Sequence, residues 1–202
     1  MTLVDLLVYS VLLLIVVAIT GALLLSGLRT QRTAVDTGSA TTRAQVALAD
    51  IDRAVRNAVE AQVYATSGSG FAVVAAGGSG DLLVTKTRVG ASGGLGSSWR
   101  CARWYFDPTR TNPDGSSGAL LSSTYSPVTP SASVITVAGA RTWSRVTSAS
   151  GAVSGTAVFT QQARGVKVSL NATIRGHAPI ALESVATSRA QNDSTGSGTC
   201  LP

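Results

Sequence analysis

The chain opens with MTLVDLLVYSVLLLIVVAITGALLLSGL, residues Met1–Leu28, and the predicted architecture is built on this apolar segment. The 23 residues from Leu6 to Leu28 carry no charge and are mostly Leu, Val, Ile and Ala. About 20 such residues are enough for a helix to cross the hydrocarbon core of a membrane. One carboxylate, Asp5, lies at the start of the apolar run. An unpaired acid in that position is energetically costly, so its presence indicates a function.

Helical periodicity resumes after a polar stretch that runs from Arg29 to Gly38. Apolar residues then recur at three- and four-residue steps, which favours an amphipathic helix. These residues are Ala40, Ala44, Ala47, Leu48, Ile51, Ala54, Val55, Ala58, Val59 and Val63. No proline occurs before Pro108. We therefore predict one continuous helix over about residues 1–64, with Gly21 and Gly27 as positions where it could bend or unwind.

The remainder of the chain has the composition of strands and glycine turns. Residues 71–76 and 81–89 are apolar runs separated by four Gly and Ser residues, which predicts a hairpin. From Val166 to Arg175 apolar and polar residues alternate, as in a strand with one buried face, and residues 180–189 could return antiparallel to it. The prediction is an α+β fold with three parts: an apolar helix half (1–28), an amphipathic helix half (29–66) and an antiparallel β domain (67–202).

The charge balance is basic, with 16 Lys and Arg against 10 Asp and Glu, for a net charge of +6. Such a balance permits contact with nucleic acid or another anionic surface. Four residues on predicted strands are the candidate DNA contacts: Arg100, Arg103, Lys167 and Arg175. Scattered arginines on a solvated surface are the favoured explanation of this charge. Strand alternation also divides the basic and aromatic residues of 99–106 between two faces, which favours core packing there.

The two cysteines, Cys101 and Cys200, are too far apart for a compact metal motif, and His177 is the single histidine. Beyond a membrane anchor, in an oxidising compartment, they would form a disulfide that closes the C-terminal region. Two free thiols are the alternative. No arrangement typical of catalysis, of a phosphate loop or of a metal site is found, so we predict a non-enzymatic protein without cofactor or metal.

Basic residues flank the apolar run on one side only, since Arg29 and Arg32 follow it and none precedes it. A membrane anchor ordinarily has its basic residues on the cytoplasmic side, which conflicts with a disulfide in the domain that follows. A basic leader removed before Met1 would resolve the conflict.

The stretch Met1-Thr2-Leu3-Val4-Asp5-Leu6-Leu7-Val8 resembles the mature N-terminus of type IV pilins and pseudopilins, whose usual pattern is Phe-Thr-Leu-Ile-Glu before an apolar helix. Thr2, Leu3 and the acid at position 5 match, whereas Met1 replaces Phe and Asp replaces Glu. The resemblance covers about residues 1–64. It implies a long helix packed on an antiparallel sheet, and a C-terminal region closed by a disulfide is also usual in the family.

The resemblance also implies how the chain would be processed and assembled. A prepilin peptidase would remove the leader, Met1 would be methylated, and Asp5 would pair with the N-terminal amine of a neighbouring subunit. Inner-membrane machinery with an ATPase would move the chain, together with other pilins, from the cytoplasmic membrane into a helical filament at the cell surface. The expected function is a bacterial pilus subunit in adhesion, motility or DNA uptake.

Two alternatives are kept. The chain could be a low-copy minor pilin or pseudopilin that primes a pilus or a type II secretion filament. It could instead be a membrane-anchored, non-polymerising domain that binds DNA or a surface, in which case Asp5 would simply lie among the lipid headgroups.

Overall fold

A computed structural model describes residues 3–89, 98–111, 117–125, 135–146, 152–154, 158–173, 180–188 and 200. One long helix comes first, and short strands follow it. The elements are α1 (Leu3–Asn57), β1 (Ala58–Ser67), β2 (Gly70–Val73), β3 (Ser79–Gly80), β4 (Leu82–Val89), β5 (Ser98–Thr111), β6 (Ser117–Tyr125), α2 (Val137–Ala140), β7 (Ser144–Arg145), β8 (Ala152–Ser154), β9 (Phe159–Gln162), β10 (Gly165–Thr173) and β11 (Ile180–Thr187). The predicted α+β class, with a long N-terminal helix and antiparallel sheets, is confirmed.

Helix α1 is continuous for 55 residues but ends at Asn57, so its predicted end near Tyr64 is wrong. Residues 58–64 belong instead to β1, which pairs antiparallel with β4. The apolar residues Ala58, Val59 and Val63 fit a helical stripe, but their segment is rich in β-branched and aromatic side chains. Pairing with β4 gives the backbone groups of residues 58–64 hydrogen-bond partners within a sheet. These tertiary contacts outweigh the helical pattern of the segment.

By its contacts the chain divides into two compact units, residues 1–39 and 40–202. In the second unit, α1 buries a stripe against the sheets, as its periodicity predicts. The stripe consists of Ala40, Ala44, Ala47, Leu48, Ile51 and Val55, each less than 9% exposed. On the opposite face Asp52 and Arg56, four positions apart, form an ion pair with 2.7 Å between Oδ2 and Nε. Glu60 lies in β1, beyond the end of the helix.

The first sheet, sheet A, has six strands in the order β2-β1-β4-β5-β6-β7. Strand β2 pairs with β1 and not with β4, so the predicted hairpin between residues 71–76 and 81–89 is wrong. The tight turn is instead between β1 and β2, where Gly68 has a φ of 59°, which favours glycine. The Gly/Ser run continues into β3, which pairs with β9 of the second sheet.

The second sheet, sheet B, contains β11-β10-β9-β3, with β8 also paired to β10. The alternation along β10 is confirmed: Val166, Val168 and Leu170 are each at most 1% exposed, while Lys167 and Ser169 lie on the other face. Strand β11 returns antiparallel to β10, with Gly165 opposite Thr187 and Ala172 opposite Ile180, as predicted.

Sheet A is covered on both faces. On one face, residues of α1 and sheet B pack against Trp104, Phe106 and Leu120. On the other face, α2 and Cys200 cover a second cluster that includes Tyr64 and Tyr105. Consecutive residues of β5 therefore belong to opposite clusters, which agrees with the division of the basic-aromatic stretch expected from strand alternation.

Candidate functional site

The candidate assembly site is the apolar half of α1. The 17 large apolar side chains that the structure describes between Leu3 and Leu28 are each at least 50% exposed. Among the described residues, α1 is the one helix long and apolar enough to cross a membrane, and its most apolar 18-residue window has a mean hydropathy of 2.8 with no part buried. An apolar surface of this extent indicates an interaction site and not a free surface. The length and composition suggest membrane association.

The two residues to which sequence analysis assigns assembly roles are placed only in part. The backbone of Asp5 lies in the first turns of α1, and its side chain lies outside the described residues. Met1 also lies outside them. The pairing of Asp5 with a neighbour's amine therefore stays a prediction.

Gly21 and Gly27 lie inside an unbroken part of α1. A Cβ added at either position would meet no atom within 4 Å, so the chain itself does not require glycine there. A shallow groove runs along the helix beside Gly27 and is lined by Thr20, Leu23, Leu24, Leu28 and Gln31. Unwinding at these two glycines stays a prediction.

Cys101 and Cys200 form the predicted disulfide, with a Cα–Cα distance of 5.7 Å. Both residues are buried, at 0% and 4% exposure. Tyr125 lies directly opposite Cys101 across the sheet, and its hydroxyl donates to the carbonyl oxygen of Cys200 at 2.9 Å. The disulfide and this hydrogen bond together hold residue 200 against the second face of sheet A.

The candidate DNA contacts are not brought together by the described structure. Arg100 and Arg103 are three positions apart on β5 and so lie on opposite faces of sheet A. Lys167 lies in sheet B and pairs with Glu183 at 3.1 Å, an interaction that lowers the pKa of the Glu183 carboxyl. Arg175 is outside the described residues. DNA binding thus stays an untested prediction, and the described part of the chain shows no surface shared by these residues.

Arg103 packs against aromatic partners that the sequence did not identify. Its guanidinium carbon lies 3.3 Å from the centre of the Tyr125 ring and 5.7 Å from that of Trp143. Such cation–π contacts are attractive, most of all when partly desolvated. Burial lowers the pKa of Arg103, and its Nε is buried without a hydrogen-bond partner among the described residues. Both rings lie beside the guanidinium, so Arg103 takes part in the packing between sheet A and the residues that cover it.

A second feature missed from the sequence is the carboxylate of Asp107, which is buried at 2% exposure. One carboxylate oxygen accepts hydrogen bonds from the backbone N–H of Thr109 at 3.0 Å and from its hydroxyl at 2.7 Å. The other lies 3.1 Å from Nε of Arg141. Arg141 follows α2, so this ion pair fastens the short helix to β5. The Asp-Pro-Thr sequence signals the local turn but not the distant arginine.

A third missed residue, Gln161 of β9, joins the two sheets. Its Oε1 accepts from the backbone N–H of Val63 in β1 at 2.8 Å, and its Nε2 lies 3.4 Å from the carbonyl oxygen of Ala61. Its own backbone pairs with Gly77 and Gly78. The side-chain amide thereby bonds to the backbone of β1 in the way that a neighbouring strand would.

The described residues contain no group of three or more His, Cys, Asp or Glu that could hold a metal ion. Comparisons with protein-family models, curated proteins and solved structures find no match for this chain.

Proposed function

We propose that this chain is a structural subunit of a bacterial type IV pilus-like filament and polymerises through α1. The observation that carries the proposal is the combination of the sequence Met1–Val8 with a continuous helix whose apolar segment from Leu6 to Leu28 is exposed. A helix whose second half is anchored in a disulfide-closed β domain suits a subunit that presents its first half to other subunits.

The proposed mechanism begins in the cytoplasmic membrane. A prepilin peptidase removes a basic leader, and the new amine of Met1 is methylated. Isolated in lipid, the charges of Met1 and Asp5 are costly. In a bundle of identical helices, each Asp5 pairs with the amine of a neighbour and both charges are compensated. Desolvation offsets much of that attraction, so the pair acts chiefly to set the axial register of the subunits.

Apolar helices gain little by exchanging lipid contacts for contacts with one another. Extraction into a filament therefore needs an external energy source, which an ATPase of the assembly machinery supplies in this proposal. The filament would be extracellular, and adhesion, motility or DNA uptake would be properties of the complete fibre. A low-copy minor pilin or pseudopilin would use the same chemistry and differ in abundance.

The test replaces Asp5 by Ala in the native cell and measures filaments and membrane-inserted chain separately. We expect Asp5→Ala to abolish filaments in the sheared fraction while the membrane level of the chain stays unchanged. Asp5→Glu restores a carboxylate and should restore filaments. The matched control is Asp36→Ala, which removes an exposed acid from the same helix.

Filaments that persist at wild-type abundance in Asp5→Ala would refute the polymerisation mechanism. That result would favour the non-polymerising anchored domain. DNA capture by such a domain would weaken as salt rises, because phosphate contacts release counterions.

A further inference from the structure

The apolar half of α1 ends at two arginines, Arg29 and Arg32, to which the assembly mechanism gives no role. At 1.5 Å per residue, the 23 uncharged residues from Leu6 to Leu28 span about 34 Å, close to the hydrocarbon thickness of about 30 Å. When this segment fills the membrane, Arg29 and Arg32 emerge at the level of the phosphate groups. Being three positions apart, they lie on the same side of the helix.

Both arginine side chains are exposed, and neither forms an ion pair among the described residues. Asp36 is one turn beyond Arg32 and is not paired with it. This contrasts with Arg56 and Arg141, which each have a carboxylate within 3.1 Å. The helix thus presents two uncompensated guanidinium groups beside a lipid-length apolar surface.

We propose that Arg29 and Arg32 bind the phosphate groups of anionic phospholipids and so fix the depth of α1 before assembly. The planar guanidinium matches a phosphate with two parallel hydrogen bonds, and the arginine stem extends along the hydrocarbon boundary. The inference rests on the membrane-inserted state in the proposed function. It implies that anionic lipid surrounds this end of the helix and must be released when the subunit enters a filament.

The experiment reconstitutes the full chain, with its disulfide intact, into phosphatidylcholine vesicles that contain trace spin-labelled lipid. Electron paramagnetic resonance then gives the association of labelled phosphatidylglycerol with the protein relative to labelled phosphatidylcholine. One exposed ion pair contributes about 1.4- to 5-fold to an equilibrium constant, so two give a selectivity of roughly 2- to 25-fold. The preference should fall as sodium chloride is raised.

The test variant is Arg29→Gln/Arg32→Gln, for which we expect a selectivity near one. The control Arg53→Gln/Arg164→Gln removes the same charge from exposed positions outside the apolar segment and should behave as wild type. Equal selectivity in the test variant and in wild type, or none in wild type, would overturn the proposal. Displacement by excess soluble glycerol phosphate would also overturn it, because the site would then take free phosphate.

This assay contains no assembly machinery, so its failure leaves the Asp5 experiment unaffected. Conversely, filaments that survive Asp5→Ala would remove the proposed function without changing the lipid selectivity.

Discussion

Gln161 is the residue whose replacement tests the packing of the two sheets most sharply. Its Oε1 is the acceptor for the N–H of Val63, a residue with 0% exposure. Gln161→Leu introduces an apolar side chain of roughly similar size and removes every hydrogen bond of the amide. A buried donor left without a partner costs about 1–3 kcal/mol. The Nε2 contacts, at 3.1 Å to the carbonyl oxygen of Gln162 and at 3.4 and 3.5 Å to those of Ala61 and Gly165, are longer and add less.

We expect Gln161→Leu to lower the free energy of unfolding by about 2–3 kcal/mol, taking the unpaired N–H as the main term. For a domain of this size, that corresponds to a fall in Tm of roughly 4–12 °C. The assay is urea and thermal unfolding of the full chain in non-ionic detergent, followed through near-UV circular dichroism. The matched control is Gln162→Leu, because the Gln162 side chain is exposed.

A second variant, Gln161→Glu, adds a pH test of the same geometry. The carboxylate could still accept from Val63 but would face the carbonyl oxygens of Ala61 and Gly165 without a proton to donate. Its folded-state pKa should therefore lie above the unfolded value of about 4.3, so the variant should lose stability as the pH rises through that range. If Gln161→Leu and Gln162→Leu unfold within about 0.5 kcal/mol of each other, the amide does not join the sheets.

Two further predictions concern the disulfide and a buried acid. Cys101→Ala/Cys200→Ala removes a disulfide that links residues with a sequence separation of 99. We expect the free energy of unfolding, measured in urea, to fall by about 4–5 kcal/mol. A fall below about 1 kcal/mol would contradict the stabilising role given to the disulfide. Burial raises the pKa of Asp81 although Thr66 donates to it, so the native state binds the extra proton and stability falls as pH rises above about 3.9. Asp81→Asn removes this fall and should gain stability relative to wild type between about pH 3 and 7; the same trend in the exposed control Asp50→Asn would refute the assignment.

The sequence predicts correctly those elements that bury one face through a regular spacing of apolar residues. The buried face of α1 from Ala40 to Val55 and the alternation along β10 are both confirmed. Both are predictable because the same apolar spacing repeats several times along each element. Residues 58–64 fit both a helix and a strand, and pairing with β4 decides between them. The partner of β2 could not be predicted, because glycines stand on both sides of it: Gly68 before the strand and the run at 77–80 after it. Each suggests a turn, and the structure shows that the turn joining β2 to its partner is the one at Gly68.

In the candidate site, too, some features could be predicted from the sequence and others could not. The apolar half of α1 is evident from composition, and the disulfide is predicted from the two cysteines of the chain. The stack of Arg103 on Tyr125 and Trp143 joins residues from three separate elements or loops, so no local period encodes it. The same holds for Asp107 with Arg141, where the local turn is visible and the long-range ion pair is not.

The central claim, that this chain is a processed filament subunit, is tested most directly by the mass of its N-terminal peptide. The chain should be isolated from the sheared surface fraction of its native cell and from the membrane. We predict a peptide that begins at Met1 and carries one methyl group on its amine in both fractions, with intact chain in the sheared fraction. An N-terminus at another residue, or an unmethylated Met1 in a chain confined to the membrane, would contradict the account.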